Sequence, residues 1–383
     1  MNDQQNGPQA AEEAKRYARE KVRLKLAGMA IDLAFLAVMA FAGAAWLDSF
    51  IEPITGGNRW LHLIAFSTAF GAVAIAVGLP LSFYGGFIHE HKYKLSNQTL
   101  GAWLFRQLKM LLLTAIFGLL MVAGLYALLW YMPDWWWLAA AGALLLFNVV
   151  LGQLFPVLFV PLFYKVEKIA SDDLIQRFRK LAAGTGITID SVFKLGLSKD
   201  TKKANAMLAG LGNTKRVMLG DTLLNEFTPE EIEVVFAHEL GHSVHNHLWK
   251  GIVGSTIATL AGLFLCHLVI GYLLPIGGHA GPGAVSALPL YLLVLTVFST
   301  VIGPLEMAVT RHFERQSDWF ALEKTADTAS YKSAFTRLGT LNKADPNPPR
   351  WAVILFHSHP PIGERIAMAD AWKLKRGKEN VAS

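Results

Sequence analysis

Hydrophobic positions gather into six long runs, at about 26–47, 61–87, 108–131, 136–163, 251–275 and 285–308, each long enough to cross a bilayer core as a helix of roughly 20 residues. Four runs precede a more polar stretch at about 165–250, and two follow it. Within that stretch the pattern changes period. Ser171-Asp172-Asp173 supplies a cap for a helix running to about Ala183, which Gly184-Thr185-Gly186 ends. Short strands are predicted at about 190–197, 204–209 and 215–220, broken by Gly210-Leu211-Gly212-Asn213. Thr228-Pro229-Glu230-Glu231 then opens another helix, with a threonine cap, a proline where no N–H is missed, and a glutamate able to reach back to the cap. Val234, Val235, Phe236, Ala237 and Leu240 make this helix largely apolar. The fold class is therefore a mainly α, polytopic membrane protein of about six transmembrane helices, with a small β-sheet between the fourth and fifth.

Composition agrees with the pattern. A chain of 383 residues would ordinarily form two or three soluble domains, but 53% hydrophobic residues, 17% charged residues and a mean hydropathy of +0.36 point to a membrane protein. The single cysteine, Cys266, excludes both an intrachain disulfide framework and a cysteine-rich zinc site. The net charge of +6 lies beside the apolar runs, which favours anionic lipid over nucleic acid as its partner.

Residues 1–25 form a polar tail that turns basic from Lys15, and the run after it is too long for a signal-peptide core and lacks a cleavage site, so it is retained as an anchor. Basic residues such as Lys92, Arg106, Lys165, Lys250 and Arg311 occupy alternate loops, and the other loops hold almost none. That asymmetry puts both termini and the polar segment on the cytoplasmic side, with Trp135, Trp136 and Trp137 at the opposite interface. Five segments result: a basic cytoplasmic tail (1–25), four spans (26–164), a cytoplasmic-side segment (165–250), two spans (251–310) and a C-terminal helical segment (311–383). Asp32, Asn148, Gln153, His267 and Glu306 interrupt the spans. A hydrated interior and ordinary interhelical hydrogen bonds both account for them.

The chemistry is concentrated in Val235-Phe236-Ala237-His238-Glu239-Leu240-Gly241-His242. His238 and His242 are four residues apart, so on a helix their side chains leave one face about 40° apart and can reach one metal ion. Glu239 comes from the adjacent row, where a carboxylate can take a proton from a zinc-bound water without ligating the metal. With no cysteine set available, zinc must be held by histidine and carboxylate, and a catalytic zinc usually has three protein ligands. Glu314, with Asp318 one turn on, is a candidate third ligand after the last span. Taken alone, the same residues read rather as a solvated helix in which Arg311, Glu314, Arg315 and Asp318 pair at i,i+3 and i,i+4 spacing. Asn205-Ala206-Met207 is a candidate edge strand for pairing with an extended peptide, and a purely structural strand is the other reading.

His238-Glu239-Leu240-Gly241-His242 with His247 five residues on, Arg311-x-x-Glu314-x-x-x-Asp318, His359-Pro360-Pro361 and Glu364-Arg365-Ile366 together resemble the integral-membrane zinc metalloproteases typified by the type I CAAX prenyl proteases. Tyr84-Gly85-Gly86-Phe87 and Pro161-Leu162-Phe163-Tyr164-Lys165-Val166 extend the likeness into the membrane half. The resemblance implies a helical barrel around a chamber, one zinc held by His238, His242 and Glu314, and Glu239 as general base. It also implies Asp318 as the partner of a ligand histidine, Asn205 and Ala206 as part of the substrate-pairing strand, His359 steadying the oxyanion, and Arg365 as a support or substrate contact. Eukaryotic relatives are usually described with seven spans, so six spans on a shorter chain suit a bacterial inner-membrane member. The expected function is a zinc-dependent membrane endopeptidase acting on membrane-associated or CAAX-type prenylated peptides. Its rivals are a quality-control protease without lipidated substrates and, more remotely, a transporter or scaffold with a structural metal.

Overall fold

The computed structural model describes residues 3–189, 191–210 and 216–382. Among the described residues, six helices are long and apolar enough to cross a membrane: Gln9–Ile54, Arg59–Lys92, Leu100–Tyr131, Trp136–Phe163, His247–Leu273 and Val285–Thr325. Their inward faces bury Phe66, Tyr126, Trp136, Cys266 and Tyr291 in one core. Their outward faces leave Val301 71%, Leu146 66% and Ile257 63% exposed. Aliphatic surface of that extent is costly in water and neutral in hydrocarbon, so these faces belong against lipid. Of the polar residues in the spans, His267 accepts a hydrogen bond from Trp136 Nε1 at 3.1 Å, which is an ordinary interhelical bond.

Three features add to the sequence reading. The basic stretch read as a tail is helical from Asp3 and continuous with the first span. Its run of Ala, Glu, Lys and Arg is rich in helix formers, and the helix docks through Tyr17, which is 3% exposed. The Tyr17 hydroxyl donates to Glu90 Oε1 at 2.7 Å, while Lys203 Nζ donates to Glu90 Oε2 at 2.7 Å and to the Tyr17 hydroxyl at 2.9 Å. The sixth span and the start of the C-terminal segment share one helix, Leu288–Thr325, of 38 residues. The fifth-span helix likewise begins at His247 rather than 251.

The third concerns the small sheet, which among the described residues has four strands: β1 (Val166–Lys168), β2 (Val192–Leu195), β3 (Ala206–Ala209) and β4 (Arg216–Gly220). Their order is β1-β2-β4-β3, with β2 and β4 parallel and the outer pairs antiparallel. The pattern of strand residues finds β2, β3 and β4, while β1 follows the fourth span too closely and briefly to stand out. Of the predicted break, Gly210 has φ +102 and Leu211, Gly212 and Asn213 lie outside the described residues. The position of β3 at the sheet edge is set from two sides. Asn342 clamps Ala204, accepting from its N–H at 3.0 Å and donating to its carbonyl at 3.3 Å, and Lys203 is held by the Tyr17–Glu90 pair.

The motif helix, Pro229–Val244, starts as its sequence requires. Thr228 Oγ1 accepts from Glu231 N at 3.3 Å, and Glu231 Oε2 accepts from Thr228 N at 2.9 Å. Phe236 stacks on Phe178 at 3.9 Å between centroids, which seats the helix on Asp172–Ala182. Its other face crosses the sixth-span helix at Gly241, where a Cβ would lie 3.0 Å from Ser317 Cα and 3.2 Å from Phe320 Cδ1. Only glycine lets the two backbones come so close. Gly241→Val should therefore overpack the crossing, lowering stability by about 1–3 kcal/mol; thermal unfolding in detergent, read together with bound metal, should show both falling.

Candidate active site

The crossing at Gly241 brings three groups together. His238 Nε2 and His242 Nε2 are 3.2 Å apart, Glu314 Oε2 is 3.2 Å from His238 Nε2, and Glu314 Oε1 is 3.4 Å from His242 Nε2. Two ring nitrogens that close, both facing a carboxylate, leave their lone pairs converging on one point. Ligands held about 2.0–2.1 Å from a tetrahedral zinc would be about 3.3 Å from one another, so the spacing fits that ion. Glu314 Oε2 is also buried without a hydrogen-bond partner, an expensive state for a carboxylate oxygen unless a cation completes it. The three groups form a His-His-Glu set compatible with a zinc site.

His238 is backed by charge. Its Nδ1 lies 2.9 Å from Asp318 Oδ1, so Asp318 holds a proton on this nitrogen and turns Nε2 toward His242 and Glu314. Asp318 is fully buried, and Arg365, 6% exposed, grips it through Nε to Oδ2 at 2.9 Å and Nη2 to Oδ1. Burial works against a charge on His238, but the carboxylates of Asp318 and Glu314 outweigh it and raise the ring to about 9. Burial, reinforced by His238, pushes His242 down to about 3, so its lone pair is free.

Glu239 sits beside this set on the side of the sheet. Burial raises its carboxyl above the ordinary range, with partial relief from His238 and from the Leu208 N–H, which donates to Glu239 Oε2 at 3.2 Å. A raised carboxyl suits a group that must take and return a proton near neutral pH. The donor belongs to β3. Because Gly220 N donates to the Asn205 carbonyl at 2.9 Å, the alternation of an antiparallel ladder turns the backbone groups of Ala206 and Leu208 to the open edge. Ala206 thus offers the free edge, whereas Asn205 contributes its side chain.

A cavity of about 560 Å³ joins these parts, with Asn205, Ala206, His238, Glu239 and His359 on its walls. The N-terminal helix adds Tyr17, Lys21 and Lys25 to its lining. His359 is largely exposed, with Nε2 3.3 Å from Glu314 Oε1. The guanidinium of Arg365 is engaged by Asp318, and this placement favours support of Asp318 over a direct substrate contact. Sequence reasoning missed Asn342 and Tyr17, because each acts through a contact between segments distant in the chain.

Removing Asp318 should strand a buried guanidinium. Asp318→Ala is expected to cost about 3–5 kcal/mol, and Asp318→Asn clearly less. Thermal denaturation of the detergent-solubilised chain measures both.

Residues 4–165 match the family described as CAAX prenyl protease N-terminal, five membrane helices, and residues 169–373 match the family described as peptidase family M48. An uncharacterized metalloprotease, YhfN, of Bacillus subtilis is 27% identical over 372 residues, covering 93% of this chain and 84% of that protein. CAAX prenyl protease 1 of Saccharomyces cerevisiae is 27% identical over 334 residues, covering 80% and 72%. The fold is similar to the crystal structure of S. mikatae Ste24p, with a TM-score of 0.78 and 22% identity, covering 94% of this chain and 88% of that one. The chain belongs to peptidase family M48, as a membrane metallopeptidase of the CAAX prenyl protease family.

Proposed function

We propose that the chain is a zinc endopeptidase that cuts membrane-associated peptides laid along β3, with His238, His242 and Glu314 as the metal ligands. The observation that carries this reading is the hydrogen bond from the Leu208 N–H to Glu239, which ties the proton-transferring carboxylate to the strand edge where an extended substrate would pair. A bound zinc would supply Lewis acidity to the scissile carbonyl and to water. The backbone of Ala206 pairs with the substrate and fixes its register. Glu239 takes a proton from the attacking water and returns it to the leaving amine. His359 donates to the developing oxyanion, and Asp318, held by Arg365, keeps His238 in its tautomer.

The basic loops of the sequence favour the cytoplasmic side for the termini and the site, and the likeness to the Bacillus subtilis metalloprotease favours a bacterial inner membrane. The names of the relatives in yeast and plants, CAAX prenyl protease 1, favour C-terminally prenylated peptides as substrates. A farnesylated peptide should then be cut faster than the same peptide unmodified. Equal cutting of an unmodified transmembrane segment would instead assign the chain to quality control of membrane proteins.

Two further outcomes follow from the assigned roles. Glu239→Gln should retain zinc by elemental analysis while hydrolysis falls by about 10²-fold or more; wild-type turnover would remove Glu239 from the mechanism. Glu314→Ala should lose zinc where Arg315→Ala does not, and equal metal content in both would return Glu314 to a structural ion pair.

A further inference from the structure

His247 belongs to the motif but has no role in the chemistry above. On one straight helix, five residues would turn it about 140° away from His242. The chain reverses instead: the motif helix ends at Val244, Asn246 adopts φ 55 and ψ 34, and the next helix starts at His247. Asparagine tolerates this left-handed backbone better than most residues. The reversal buries His247 to 5% exposure beneath His242, with its ring stacked on Phe313 at 4.4 Å and 11°.

The hydrogen bonds there have one consistent direction. His247 Nε2 is 2.9 Å from Gln316 Oε1, and His247 Nδ1 is 3.1 Å from His242 Nδ1. An amide oxygen only accepts, so His247 carries its proton on Nε2 and presents Nδ1 as an acceptor. His242 must then donate from Nδ1, which leaves its Nε2 lone pair directed at His238 and Glu314. The other polar atom near His247 Nδ1, Ser317 Oγ, is farther away at 3.5 Å.

We propose that His247, set by Gln316, is a positioning residue that locks the tautomer and ring direction of His242, as Asp318 does for His238. The two rings are thus held by unlike partners, a carboxylate behind His238 and a neutral imidazole behind His242. The proposal rests on the ligand set assigned under the proposed function.

The test uses the full chain in detergent, with zinc affinity from chelator competition and the visible spectrum of the cobalt-substituted protein as readouts. His247→Phe keeps the aromatic stack on Phe313 but removes the acceptor, and it should weaken zinc binding by about 10–100-fold and alter the cobalt bands. His247→Asn places an amide oxygen where Nδ1 lies and should restore most of the affinity. Wild-type affinity and spectrum in His247→Phe would overturn the proposal, as would equal weakening in both variants. Glu314→Ala, measured alongside, separates the two readings. If it binds zinc like the wild type, the ligand set fails; if it loses zinc while His247→Phe does not, only the role of His247 fails.

Discussion

Everything in the site depends on how closely two helices cross at Gly241. The motif helix supplies two histidines and a glutamate, and the sixth-span helix supplies Glu314 and Asp318. These sets meet only because position 241 has no side chain, which lets the helix backbones approach until a single methyl would touch Ser317 Cα. A wider separation would pull Glu314 from the histidines while leaving each helix intact. The constraint is therefore on spacing between elements, and the motif alone cannot satisfy it.

Buried charge is arranged around that crossing with each member compensated. Asp318 is fully inaccessible, a state tolerable only because Arg365 and His238 both face it. Such pairs add little net stability, but they forbid other arrangements, since any shift leaves a carboxylate or a guanidinium without its partner. The C-terminal helix Ile362–Ala382, which carries Arg365, is thereby fixed against the site. Three segments far apart in the chain are held in register by one carboxylate.

What was legible in the sequence is what local rules determine. The capping box at Thr228, the serine cap at Ser171 and the apolar runs each act within a few residues, and each is found where the sequence puts it. The His-His-Glu grouping was legible only through family likeness, because nothing in the spacing of Glu314 and Asp318 separates a metal ligand from a solvated ion pair. The docking of the N-terminal helix was not legible at all: Tyr17, Glu90 and Lys203 are distant in sequence, and a stretch of Ala, Glu, Lys and Arg looks the same whether it is packed or free. The reversal at Asn246 was hidden for a similar reason, since one left-handed residue decides whether His247 faces His242 or points away.

The unbroken helix through the sixth span acts as a lever. Its interior proline, Pro304, lies within the predicted membrane run, and Glu314 is ten residues farther on, about 15 Å along the axis. Pivoting that arm by about 5° would sweep the Glu314 end through about 1.3 Å, enough to spoil a tetrahedral grouping. Side chains around Glu314 cannot absorb such a swing, because the same helix also carries Asp318. The alignment of the site is thus tied to how the membrane-crossing part of that helix is packed, about three turns away from the metal-binding groups.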